Sequence, residues 1–144
     1  MTQWANGLYT VKNKEKYIGN KPPRYRSSWE RSFFLFCDNH PSVLQWVSEG
    51  IQIPYRNPLS GKQSIYVPDV FVLFQDKDGK QRSELIEIKP SSQVMVENGR
   101  KTSQRDRAVI AINHAKWKAA AQFCRFRNMT FRVVTEHQLF AGKR

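Results

Sequence analysis

Hydrophobic and polar positions mark out the elements of this chain before any chemistry is considered. The densest apolar stretch lies in Ile65 to Pro90, IYVPDVFVLFQDKDGKQRSELIEIKP. In an extended chain Val70, Val72 and Phe74 fall on one face and Asp69, Phe71 and Leu73 on the other, so Val70 to Phe74 reads as a central strand covered on both sides. The chain turns at Asp78-Gly79, a pair suited to tight turns, and returns through Glu84-Leu85-Ile86-Glu87-Ile88-Lys89. There Glu87 and Lys89 point one way, about 7 Å apart, while Ile86 and Ile88 point the other. Asp69 is therefore the polar end of a buried strand, and an acid and a base share one face of the hairpin.

The remaining segments follow from the same periodicities. Ser27 or Ser28 opens a helix reaching to about Asn39, where Pro41 stops it. Glu30, Phe33, Phe34 and Cys37 recur at i, i+3, i+4 and i+7, which sets Glu30 on or beside the inward stripe. Ser27-x-x-Glu30 is also a capping-box pattern, and a carboxylate with two oxygens can serve both ends. Val43 to Tyr55 reads as a short turn and then a strand carrying Glu49, Ile51 and Ile53 on one face, with Pro54 at its end. Asn57 to Gln63 is a loop whose Gly61-Lys62 lacks the other residues of a phosphate-binding loop, so no nucleotide cofactor is expected. Ser91 to Ser103 has no apolar period and reads as a loop over the face that bears Glu87. Gln104 to Asn128 is one long helix, or two joined near Asn113-His114, with Val109, Ile112, Ala119, Ala120 and Phe123 inward. Phe131 to Thr135 alternates as a last strand, and no internal repeat is present.

Composition narrows the partners. The 144 residues suffice for one domain with its own core. Twenty-four Lys and Arg stand against 12 Asp and Glu, a net charge of +12, which implies an anionic polymer or surface as partner. Nucleic acid fits best, because no run approaches a membrane-spanning length and no basic helix has a clean lipid face. The first residues, MTQWANGLYTVKNKEKY, are polar and basic and unlike a secretory leader, so a cytoplasmic location is expected. Residues 1–24 carry Lys12, Lys14, Lys16, Lys21 and Arg24 and end in Pro22-Pro23, which reads as a basic arm preceding a domain of residues 25–144. Cys37 and Cys124 are isolated, and His40, His114 and His137 lack a second ligand at metal spacing, which argues against zinc. From Arg100 to Arg127 cations crowd against a single acid, Asp106, whereas a solvated helix face usually mixes signs. Arg105, Arg107, Lys116 and Lys118 are the candidate DNA-backbone contacts, and Trp117 between two lysines reads first as core.

The acids carry the chemistry. Removing a carboxylate from water costs several kcal/mol unless it is paired or binds metal. Pro68-Asp69, followed after a hairpin by Glu87-Ile88-Lys89, resembles the PD-(D/E)XK nuclease signature. Tyr25-Arg26-Ser27-Ser28-Trp29-Glu30, Pro54-Tyr55 and Lys116-Trp117-Lys118-Ala119-Ala120 look like the small head-completion nucleases of T4-type phages, relatives of Tn7-type transposon-end nucleases. The resemblance spans Arg24 to Pro90 and Asn113 to Glu136. It implies an α/β, restriction-endonuclease-like core in which a mixed central sheet is flanked by helices. It further implies a DNA endonuclease dependent on Mg²⁺, or on Mn²⁺ in its place. Glu30, Asp69, Glu87 and the Ile88 carbonyl would be metal ligands, and Lys89 would assist the attacking water. By the same resemblance the protein would work in the host cytoplasm during phage assembly and at the capsid portal or neck. Two alternatives remain open: a non-catalytic connector that keeps the nuclease fold and binds DNA or portal protein, and a transposon-end nuclease.

Overall fold

A computed structural model describes residues 6–94 and 103–141, with side chains through residue 138. Arg100, Lys101 and most of the loop expected after Gln93 fall outside the described residues, as does the Gly142-Lys143-Arg144 tail. The strands are β1 (Gly7–Leu8), β2 (Arg24–Tyr25), β3 (Val43–Ser48), β4 (Ile53–Arg56), β5 (Gln63–Tyr66), β6 (Val70–Gln75), β7 (Gln81–Ile88) and β8 (Thr130–Val134). The α-helices are α1 (Ser28–Asn39), α2 (Gln104–Arg125) and α3 (Glu136–Ala141).

The central sheet has the order β3-β6-β7-β8. β3, β6 and β7 run antiparallel, and β8 lies parallel to β7. A parallel neighbour needs a crossover, and α2 supplies it. The faces of β6 and β7 divide as the alternation predicts. Val70, Val72, Ile86 and Ile88 pack with Phe33, Phe34, Cys37 and Trp46 beneath α1. Leu85 and Phe71 pack on the other face with Tyr66, Trp117, Ala120 and Cys124 beneath α2 and the β4–β5 ribbon. The hairpin turns at Gly79, whose φ of 83° suits a residue without a Cβ.

Several sequence expectations need correction. The described part of residues 1–24 is not a free arm. Tyr9 is 5 % exposed in the core, β1 pairs with β2, and Ile18 and Lys16 bond Trp46 on the outer edge of β3. Lysines dominate the composition there, but the tyrosines between them are the anchors. Glu49 does not lie in a strand with Ile51 and Ile53. The chain follows β3 to Ser48, leaves the sheet at Glu49 with φ of 53°, and starts the separate β4–β5 ribbon at Ile53. α2 is one unbroken helix; Ala120 is buried and Ile112, Ala119 and Phe123 pack against the core as expected, but Val109 is exposed and Ile110, Asn113, Trp117 and Cys124 complete the buried stripe. Asn113 belongs in that stripe because its side-chain amide donates to the Gln93 carbonyl at 3.3 Å. Both cysteines are free and buried, and burial pushes both thiols up from their ordinary pKa.

Candidate active site

The sheet register assembles the site. Val70 pairs with Ile86, so one step outward Asp69 stands across from Glu87, within about 5 Å at the Cβ atoms for such a pair. Asp69 Oδ2 accepts the Ile88 amide at 2.7 Å, which pins it to β7. On its other side the Asp69 carbonyl accepts the Glu49 amide at 2.9 Å. Glu49, one residue past β3, Asp69, one residue before β6, and Glu87 on β7 thus lie side by side in one row, at the end of the sheet away from the Gly79 turn.

Glu87 is 6 % exposed, with Oε1 accepting the Tyr66 hydroxyl at 2.8 Å. Lys89 Nζ lies 3.7 Å from Glu87 Oε2, on the same face as expected from the strand alternation. Glu30 enters from the first turn of α1. Ser27 caps that helix by accepting the Glu30 amide at 3.2 Å, while Glu30 Oε2 accepts the Arg26 amide at 3.0 Å. Both bonds belong to the start of the helix, and Glu30 is also near enough to Asp69 for their charges to interact. The Arg26 guanidinium reaches on to Glu49.

Electrostatics tie these groups together. Asp69 retains some solvent-accessible surface yet is hemmed in by protein; burial first, then the negative charges of Glu87 and Glu30, hold its carboxyl well above the usual range. Burial also raises Glu87, against the opposing pull of Lys89, the Tyr66 hydrogen bond and Lys116. Glu30 is raised by burial, partly offset by the Arg26 amide. The Tyr66 hydroxyl is driven strongly up by burial and by Glu87, which keeps it a donor. An acid cluster held in this way favours either shared protons or a bound cation.

Among the described residues no three acid, His or Cys side chains close around a single metal-sized point. Two facing strand carboxylates with open positions suit Mg²⁺, which keeps several waters and is usually held by one or two carboxylates plus substrate oxygens. All the candidate donors are hard oxygens, as that ion requires. The apolar hollow of about 390 Å³ lined by Phe33, Val72, Phe74 and Ile86 lies beneath α1 and contains none of the site acids.

A family model described as "TnsA-like endonuclease N terminal" matches residues 40–136. The chain belongs to this family. It is also 32 % identical to the "Head completion nuclease" of Enterobacteria phage T4, over 94 % of each chain. The mixed sheet flanked by helices is consistent with the restriction-endonuclease-like fold of a TnsA-like domain. The TnsA-like match takes in Asp69, Glu87 and Lys89 but begins after Glu30.

The four cations chosen from sequence separate within this TnsA-like domain. Lys116 is half-buried, its ammonium 5.7 Å from the Tyr66 ring centre and 5.9 Å from that of Tyr55, close enough to Glu87 to favour its anion. Arg105, Arg107 and Lys118 are exposed. Helical geometry sets Arg105 on the flank of α2 that carries Lys116, and Arg107 with Lys118 on a flank roughly 160° away. Trp117 between the lysines is buried core. Arg26 and Tyr66 are not among the sequence candidates, and Glu49 reads from sequence first as a surface acid and only secondarily as a supporting site residue. Only Arg26 stood inside a quoted motif; Glu49 and Tyr66 reach the site through long-range pairing that local spacing does not encode.

Proposed function

We propose that the protein is a Mg²⁺-dependent DNA endonuclease that hydrolyses phosphodiester bonds during phage head completion. The observation that carries this reading is the facing pair Asp69 and Glu87 with Lys89 on the same side, inside the stretch matched by the TnsA-like endonuclease family. Asp69 and Glu87 would hold the ion, with Glu30 and the Ile88 carbonyl as further donors, and Mn²⁺ would substitute. Bound there, a divalent cation supplies Lewis-acid polarisation of the scissile phosphate and acidifies water.

The chain's own groups do the rest. Lys89 orients the attacking water, takes its proton and offsets charge growing on the phosphate. The Tyr66 hydroxyl fixes one oxygen of Glu87, leaving Oε2 toward Lys89. Lys116 tempers the local negative charge, and the exposed Arg105, Arg107 and Lys118 bind backbone phosphates without reading sequence. A nuclease of sequence-nonspecific or structure-selective character follows. It would act in the host cytoplasm on packaged DNA at the capsid portal or neck; the name of the T4 relative and its near full-length match support the head-completion part of this reading.

Supercoiled plasmid tests the reading. Nicking is expected with Mg²⁺, is absent in EDTA, and falls to background in Asp69→Ala and Lys89→Ala. Equal nicking by all three proteins removes the catalytic assignment.

A further inference from the structure

A groove of about 800 Å³ runs beside the acid row, between residues 17–24 and the end of β3. Its lining includes Tyr17, Ile18, Lys21, Arg24, Arg26 and Glu49. The wall is built in. Trp46 donates its amide to the Lys16 carbonyl at 3.0 Å, Ile18 returns one to Trp46 at 3.1 Å, and the Tyr17 ring packs edge-on against Trp46 at 4.7 Å. Ile18 is 47 % exposed, an apolar surface facing solvent within a cationic rim.

Lys21 and Arg24 are exposed and form no ion pair among the described residues. At the inner end the groove meets the site through two residues. Arg26 donates its amide to Glu30, and Glu49 donates its amide to Asp69. The groove therefore adjoins the site through Arg26 and Glu49, each one hydrogen bond away from a site acid.

We infer that this groove binds the DNA strand adjoining the scissile bond. Lys21 and Arg24 would meet backbone phosphates, while Tyr17 and Ile18 offer apolar surface to sugars and bases. Cationic rims over aromatic and apolar floors are how proteins follow a strand without reading it. An acidic peptide would satisfy the cations but gives no reason for the groove to lie beside a phosphodiester-hydrolysing site. The inference rests on the nuclease reading and extends it from the reacting atoms to the path of the substrate.

The test is binding of a fluorescent DNA oligonucleotide by anisotropy in EDTA, across a salt series. Lys21→Glu with Arg24→Glu is compared with Lys77→Glu with Lys80→Glu, which makes the same charge change on exposed residues at the far end of the sheet. The groove variant should bind roughly tenfold more weakly and lose about two from the salt slope, one for each phosphate contact. The hairpin-tip variant should stay near wild type. A groove variant that matches wild type, or a hairpin-tip variant that loses as much, overturns the inference. Equal melting temperatures exclude misfolding, and Lys21→Gln with Arg24→Gln should give a smaller loss in the same direction. Plasmid cleavage by wild type separates the two readings: binding lost in the groove variant with no cleavage by wild type removes the hydrolytic role and leaves the groove. Cleavage intact with unchanged groove binding does the reverse.

Discussion

Two acidic sites lie inside this small protein, and they are built in opposite ways. Asp38, near the end of α1, is fully buried. It accepts the Tyr9 hydroxyl at 2.7 Å and the amides of Lys12 and Asn13 at 2.8 and 2.9 Å. Burial alone would raise its pKa, but the donors from Lys12, Tyr9 and Asn13 outweigh it and hold the carboxyl below its usual range. Asp69 has one amide donor and two acidic neighbours, and its pKa moves the other way. An acid used as a staple is surrounded by donors, whereas an acid kept for chemistry is left with lone pairs to give.

The largest expected effect separates the two by activity. Asp69→Ala should lower the plasmid cleavage rate by about 10³-fold or more, the scale of removing a group that stabilises transition-state charge, while folding remains intact. Asp38→Ala should cut at near wild-type rate under conditions where it is folded. An Asp38→Ala protein that folds fully but has lost cleavage would break the comparison.

Stability should show the reverse order. Asp38→Ala strands three donors and unfastens residues 9–13 from α1, a loss of about 3 kcal/mol measurable by urea denaturation. Asp69→Asn in EDTA should be neutral or stabilising at pH 7, because it removes a crowded charge. A loss of similar size in both variants would make Asp69 a second staple.

The sequence disclosed these two regions unequally, for a physical reason. Strand alternation turns local spacing into sidedness, so Glu87 and Lys89 could be placed on one face from a few residues, while Asp69 and Glu30 joined them only through the resemblance to the PD-(D/E)XK signature. Asp38 looks like an ordinary helical acid, since its partners lie some 25 residues upstream in a segment whose lysines suggest a free arm. From sequence Glu49 falls in the wrong element for a related reason: leaving β3 through a positive φ is a decision of the tertiary fold, whereas Glu49, Ile51 and Ile53 alternate as a strand would. In the Ala-rich α2 the expected inward residues Ile112, Ala119, Ala120 and Phe123 do meet the core, and the error is confined to Val109, whose neighbour Ile110 is the buried one.

The pH dependence of stability should also divide the sites, in metal-free buffer first. The depressed folded pKa of Asp38 gives stability that is present above the unfolded value near 3.8 and is lost as pH falls through the folded value. Asp69 is raised on folding, so its contribution favours the folded state at low pH and is lost as pH rises from the unfolded value through the folded one. Mg²⁺ or Mn²⁺ should relieve that loss, adding about 2.7 kcal/mol at a hundredfold excess over Kd, read as a rise in Tm near pH 7. Asp69→Asn should blunt the rise. An undiminished rise in that variant would put the cation elsewhere.

The smallest expected effect comes from a matched pair of hydroxyls. Tyr9 donates to Asp38 and Tyr66 to Glu87, at 2.7 and 2.8 Å, and burial is the first cause raising the pKa of each tyrosine. Tyr9→Phe removes one donor from an anion that depends on three, so about 1.5 kcal/mol of stability should go, with cleavage unchanged. Tyr66→Phe frees an oxygen on Glu87 but removes a donor that favours its charged form, so the carboxyl should titrate higher. The acid limb of the cleavage pH profile should then shift upward, with a smaller change in Tm than Tyr9→Phe produces. Were the two variants to alter stability equally and leave the profile unmoved, Tyr66 would be a structural tyrosine like Tyr9, and the contrast between the acids they serve would shrink to a difference in burial.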